Sequence, residues 1–348
     1  MVLVVNAAFD DSGHEDPGHP ERPDRVTAAR AAFDDLDLGS GLVEVPAYSA
    51  TRAELTRVHD GAYLDELGAF CYDGGGDIDP DTYATYGSWS IAKFAAGAGL
   101  AVIEELQRRK DGVGFIAARP PGHHALSDRA MGFCLLNNIA VAAAALVSQG
   151  ERVLIIDWDV HHGNGTQQVF WDDPRVLYVS THQSPLFPGS GMASEVGGWH
   201  AIGDTVNIPL PPGATGDVVR RAFDDIAVPV IDAFAPTWVL VSAGYDAHRA
   251  DSMANLELTS GDYGDFARTV AGFVPGPGRL AMFLEGGYDL AALRSSVRAT
   301  LASVLGVAGE MEDRSSGGPG LDQVQRAKKE RDAALEMMHR AAQEEAQS

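Results

Sequence analysis

Cysteine is nearly absent from this chain: Cys71 and Cys134 are the only two in 348 residues. That excludes a disulfide framework and leads to the expectation of a reduced, cytoplasmic protein. Basic residues are also scarce, 26 against 49 acidic ones, for a formal net charge of −23. Such a chain lacks the basic footprint that a general nucleic-acid binder needs. The acidic excess keeps the surface solvated and is compatible with a cationic partner or substrate. No apolar run approaches the length of a membrane span. The N-terminal Met1-Val2-Leu3-Val4-Val5 leads directly into polar Asn6 and Asp10, which is not the plan of a signal peptide and reads better as a first core strand.

What the chain does have is 45% hydrophobic residues, enough for one large core. Short aliphatic runs alternate with alanine-rich stretches. Candidate strands are 2–5, 113–117, 153–157, 176–180, 205–209, 238–243 and 280–284. Candidate helices lie near 24–35, 51–69, 82–109, 137–148, 164–170, 216–233, 260–273 and 289–305. This alternation predicts an α/β domain with a mainly parallel sheet covered on both faces. The expected body is 1–309. A linker at 310–320, rich in Ser, Gly and Pro, separates it from a helical tail at 321–348. Leu321, Val324, Lys328, Arg331, Leu335, Met338 and Ala342 fall near a heptad seam, but its two charged members argue against a coiled coil. The tail is expected to dock on the body or on a neighbouring subunit.

Chemistry-bearing residues gather just beyond the strands, where open parallel sheets bind their ligands. Asp157-Trp158-Asp159-Val160-His161-His162-Gly163-Asn164-Gly165-Thr166 follows the run 153–157. In an extended backbone, Asp157, Asp159 and His161 project to one side. Asp159, His161 and Asp246 offer two carboxylates and one imidazole and leave a fourth position open, as a catalytic zinc site requires. His123-His124, after a Pro-Pro-Gly turn, supply a candidate general base and a second histidine that orients or stabilises charge. Asp157 and Asn164 are available to fix their tautomers. Tyr288 can donate to a developing oxyanion. Gly132, Phe133, Phe187 and Met253 are candidates for a narrow channel. The loop Asp73-Gly74-Gly75-Gly76-Asp77 offers a rim carboxylate.

These segments together resemble the histone deacetylase and acetylpolyamine amidohydrolase superfamily, in particular its bacterial class II-like histone deacetylases. The resemblance runs from about His14 to Leu305. It rests on His19 to Pro23, Arg119 to Ala125, Gly132 to Asn138, Asp157 to Thr166, Phe187 to Gly191, Ala243 to Asp246 and Glu285 to Tyr288. It implies the arginase-deacetylase fold, a three-layer α/β/α sandwich around an eight-stranded, mainly parallel sheet. It further implies that Asp159, His161 and Asp246 hold one Zn²⁺. His123 would pair with Asp157 and His124 with Asn164, and Tyr288 would stabilise the transition state. A structural K⁺ would sit at Asp157 and Ser180 and the backbone near Asp159, His161 and Thr181.

The implied activity is a zinc-dependent amidohydrolase that removes acetyl or other acyl groups from N-acetylated amines such as acetyl-lysine. An acetylpolyamine or small-metabolite deacetylase is the alternative of the same fold. Met253, standing where a polyamine-selective relative carries a glutamate, disfavours polyamines. A two-manganese ureohydrolase is disfavoured because His162 and Gly163 leave a second metal without its ligand. A metal-holding protein that binds acetylated ligands without turnover would be expected to lack Tyr288 or a tandem histidine, and this chain has all three. A homo-oligomer is left open.

Overall fold

The computed structural model describes residues 4–345. Its strands are β1 (Val4–Ala8), β2 (Leu42–Pro46), β3 (Gly75–Asp77), β4 (Tyr83–Thr85), β5 (Val113–Ile116), β6 (Val153–Asp157), β7 (Val176–Gln183), β8 (Thr205–Leu210), β9 (Trp238–Ala243) and β10 (Leu280–Leu284). Eight of them form one sheet in the order β2-β1-β5-β10-β9-β6-β7-β8. Every neighbouring pair in it is parallel. Of the expected strand at 2–5, residues 2 and 3 lie outside the described residues.

The strands are continuous hydrophobic runs because both faces are covered. In β6, Leu154 and Ile156 join one core while Val153 and Ile155 join the other. The first core is closed by helices Asp24–Asp35, Ser260–Ala271 and Leu290–Leu305, the second by Gly61–Tyr72, Ser88–Arg109 and Asn138–Ser148. The result is a three-layer α/β/α sandwich, in which the central strands carry their chemistry at their carboxyl ends.

Several boundaries depart from the sequence reading. The expected helix 51–69 is two pieces, Arg52–Leu55 and Gly61–Tyr72. The intervening segment is drawn into tertiary bonds: the buried His59 ring faces the Leu126 carbonyl at 2.9 Å and accepts from the Asn137 amide at 2.9 Å, and the Asp60 amide donates to Ser127. The expected helix 82–109 starts only at Ser88, because Tyr83–Thr85 pairs with Gly75–Asp77 as an antiparallel ribbon. The expected 216–233 helix holds a π-turn at Phe223–Ala227, followed by Val228–Phe234. Pro229 removes a helical donor there and disturbs the ladder.

The C-terminal helix Leu321–Glu345 lies against the edge strand β8 and helix Gly216–Ala222. It buries Val324, Ala327, Arg331 and Ala334, a stripe at helical spacing. Lys328, expected in that stripe, is exposed, and Ala327 takes its place. Arg331 reaches the sheet and donates to the Thr205 and Gly203 carbonyls, the latter at 2.7 Å. Among the described residues, no helix is long and apolar enough to cross a membrane.

Candidate active site

The carboxyl ends of β6 and β9 bring Asp159, His161 and Asp246 together, each offering one ligand atom, with all three atoms within 4.8 Å of one another. His161 Nδ1 stands 3.1 Å from both Asp159 Oδ1 and Asp246 Oδ2. Backbone amides aim the carboxylates: His161 and Gly286 donate to Asp159 at 2.9 and 2.8 Å, and Val160 donates to Asp246 at 3.0 Å. The approach needs glycine at position 286, where a Cβ would lie 2.1 Å from Asp246 Oδ2 and 2.6 Å from Asp159 Oδ2. Two buried carboxylates this close repel. Burial and then the Asp159 charge push Asp246 up to about 6. A divalent cation would cancel that repulsion, and this nitrogen and oxygen donor set fits one.

The tandem histidines face this trio from the loop after β5. His123 Nδ1 is 3.0 Å from Asp157 Oδ2, and His124 Nδ1 is 2.8 Å from Asn164 Oδ1. An amide oxygen only accepts, so His124 carries its proton on Nδ1 and leaves a lone pair on Nε2. The two rings titrate in opposite directions. Burial would lower His123, but Asp157, Asp159 and Glu285 raise it to about 10. Burial and the neighbouring His123 and His161 hold His124 well below the usual histidine range.

Glu285 follows β10 directly, and its role is visible only in the fold. Its carboxylate accepts from the Gly122 and His123 amides at 2.7 and 3.1 Å and from Ser242 Oγ at 3.2 Å. It therefore braces the histidine turn against β9 and β10. Burial pushes it up to about 7.

Tyr288 sits on the next turn. Asp251 accepts from its amide at 2.6 Å, and Arg25 donates to the Gly287 carbonyl at 2.7 Å and to the Glu285 carbonyl. The Arg25 guanidinium also lies over the Tyr288 ring, 4.7 Å from its centroid. Arg25 is held by Glu21, which also binds Arg119. The signal for this cluster was a buried Glu and Arg at i,i+4 spacing at the start of a helix, which sequence alone does not distinguish from a surface pair.

A cavity of about 180 Å³ opens onto Asp159 and His161 and is lined by His123, His124, Gly132, Phe133, Phe187, Met253 and Tyr288, among others. All the residues expected to shape a channel are therefore on its wall. Phe187 stands edge-on to His124 with ring centroids 5.1 Å apart, and Phe133 edge-on to Tyr288 at 5.7 Å. The charged group on this wall that sequence reasoning missed is Asp81. The loop Asp73 to Asp77 does not reach the cavity: Gly75–Asp77 is tied into the β3–β4 ribbon, and Asp77 lines a separate groove beside Phe70.

Asp157 and Ser180, the side chains expected at a potassium site, are register partners in β6 and β7. Ser180 Oγ is 2.9 Å from His182 Nδ1.

The family model for the histone deacetylase domain matches residues 19–304. The chain belongs to the histone deacetylase family. It is 39% identical over 332 residues to histone deacetylase 14, chloroplastic, of Arabidopsis thaliana, covering 88% of this chain and 77% of that protein. It is 35% identical over 306 residues to the histone deacetylase-like amidohydrolase of Pseudomonas aeruginosa, covering 85% and 79%. The solved HDA15 HD domain superposes with a TM-score of 0.86 at 32% identity, covering 100% of this chain and 99% of that one. The parallel eight-stranded sheet is thus the histone deacetylase fold.

Proposed function

We propose that this protein is a zinc-dependent deacetylase that hydrolyses N-acylated amines, with acetyl-lysine as the preferred class of substrate. The observation that carries this reading is one cavity whose wall holds Asp159 and His161 of the metal-ligating trio, His124 with its Nδ1 against Asn164, and Tyr288. Asp159, His161 and Asp246 would hold the zinc ion, which when bound would supply Lewis acidity toward the amide carbonyl and the attacking water.

The chain's own groups do the rest. His124 Nε2, with its free lone pair, takes the proton from the attacking water and passes it to the leaving amine. His123 is held against the Asp157 carboxylate, which favours its charged form and with it the build-up of negative charge nearby. Burial keeps the Tyr288 phenol protonated, so that it donates a hydrogen bond to the oxyanion. Phe133 and Phe187 flank the aliphatic stem of the substrate. Met253 on the wall offers no anchor for a second cationic amine, and the carboxylate there outside the trio is Asp81, so the choice between acetyl-lysine and a polyamine turns on what Asp81 grips. Asp157 and Ser180, with the backbone near Asp159, His161 and Thr181, are proposed to hold a structural K⁺.

The test is a turnover panel of acetyl-lysine peptides, acetylpolyamines and longer acyl-lysines, run before and after complete metal removal and zinc readdition. The expected result is acetyl-lysine turnover that is lost on chelation and restored by zinc. Turnover that survives full removal of metal contradicts the reading.

A further inference from the structure

His162 and His182 take no part in the chemistry above, yet each is about 1% exposed and fully engaged. His182 Nε2 is 2.9 Å from the Gly191 carbonyl, and its Nδ1 is 2.9 Å from Ser180 Oγ. A carbonyl only accepts, so the proton is on Nε2 and Nδ1 accepts from the serine. His162 is arranged in the same way: Nε2 faces Gln167 Oε1 at 3.0 Å, and Nδ1 faces Ser190 Oγ at 2.8 Å. The two rings lie 4.9 Å apart between centroids.

Between them runs the segment Ser190-Gly191-Met192. Its amides at Gly191 and Met192 donate to Glu195 at 3.2 and 3.0 Å, and Glu195 also accepts from Gln167 Nε2 at 2.6 Å. Gly191 has φ +85°, and a Cβ there would stand 2.6 Å from both histidine rings. Any other residue would be strained and would push the rings apart. Three residues before Ser190 is Phe187, the 39% exposed aromatic that forms one wall of the catalytic cavity.

We propose that His162 and His182 are positioning residues that set acyl-chain selectivity, by clasping the Ser190–Met192 segment and so fixing how far Phe187 stands from the opposite wall. The proposal rests on reading the cavity as an acyl channel. Phe187 is exposed on its outer side and makes no anchoring hydrogen bond through its side chain, so its place depends on the backbone that carries it. With the clasp intact, the wall is rigid and a longer acyl group must displace it. With the clasp open, the wall yields and the longer group is admitted.

The test compares His182→Ala, His182→Gln and Ser190→Ala with wild type in the zinc-loaded full chain. Gln at 182 keeps a donor for the Gly191 carbonyl; Ser190→Ala removes only the loop's side of the His162 bond. Two quantities are read: amide hydrogen exchange across residues 186–195, and the ratio of kcat/KM for acetyl-lysine to that for butyryl-lysine peptides. His182→Ala should exchange at least about tenfold faster in this segment. It should also shift the ratio about tenfold toward butyryl, mainly through KM, as a change of one or two methylenes in pocket fit allows. Ser190→Ala should move both in the same direction by less, and His182→Gln should restore both toward wild type.

Unchanged exchange in His182→Ala would overturn the clasp. Faster exchange with an unchanged ratio would overturn its role in selectivity. Absence of wild-type turnover on every acylated amine would overturn the channel reading and the selectivity role with it, while the exchange data would still report on the clasp.

Discussion

Two places in this molecule bury an arginine, and they are built in opposite ways. Behind the cavity at the carboxyl edge of the sheet, Arg25 and Arg119 share the carboxylate of Glu21. Burial alone would raise Glu21, but His14, Arg119 and Arg25 hold it well below the usual carboxylate range. At the far edge of the sheet, Arg331 of the C-terminal helix forms no ion pair among the described residues and donates to the carbonyls of Gly203 and Thr205; burial pushes it down to about 10 against the more distant charges of Asp332 and Asp204. Breaking a buried pair strands a charge, whereas removing a cation satisfied by carbonyls strands only acceptors. The comparison shows where this fold invests electrostatics: in holding the Gly287–Tyr288 turn, through Arg25, rather than in fastening the tail.

Substitutions can break that comparison or sharpen it. Glu21→Gln leaves Arg25 and Arg119 buried without their shared carboxylate and should cost about 3–5 kcal/mol of stability. Urea unfolding measures it, and a loss under about 1 kcal/mol would remove the distinction between the two sites. Tyr288→Phe keeps the turn but deletes the phenol that the cluster positions. It should lower kcat by about 10²–10³ with zinc content unchanged, and an unaltered kcat would refute the role given to Tyr288. Arg331→Leu should cost only about 1–3 kcal/mol, the value of unpaired buried acceptors, with kcat on acetyl-lysine unaffected.

The smallest effect belongs to Asp204, beside Arg331. Burial raises it to about 6, against the opposing charges of Arg152 and Arg331. Its folded pKa lies above the unfolded value of about 3.9, so the folded state binds more protons between the two, and stability falls as pH rises through that window. Asp204→Asn should therefore stabilise the protein at pH 7 by no more than about 1 kcal/mol, since the group is only partly buried and solvent screens it. The gain should vanish below about pH 4, a contrast that unfolding midpoints at the two pH values read directly.

Much of the site was legible in sequence because its members sit within a few residues of strong hydrophobic strands. Asp159 and His161 follow β6 directly, Asp246 follows β9, and the histidine pair follows β5. The strand sets the direction, and the residue types set the chemistry. What escaped was held together by tertiary contacts that no local pattern encodes. β2, with its half-buried Leu42-Val43-Glu44-Val45-Pro46, reads as a polar edge and not as core. Glu21, Arg25 and Glu285 look like surface charges until helix Asp24–Asp35 and β10 bring them together. Asp81 reaches the cavity because the β3–β4 ribbon turns the chain there, where sequence alone placed the start of a helix.

The central claim is that the Asp159, His161 and Asp246 trio holds the ion on which amide hydrolysis depends. It is tested most directly by calorimetric zinc titration of the metal-stripped wild type and of Asp246→Ala, with acetyl-lysine turnover followed in the same samples. The expected result is one tight site per chain in the wild type, with turnover returning in proportion to occupancy, and neither tight binding nor turnover in Asp246→Ala. Full zinc occupancy in Asp246→Ala, or turnover by the metal-stripped wild type, would contradict the account.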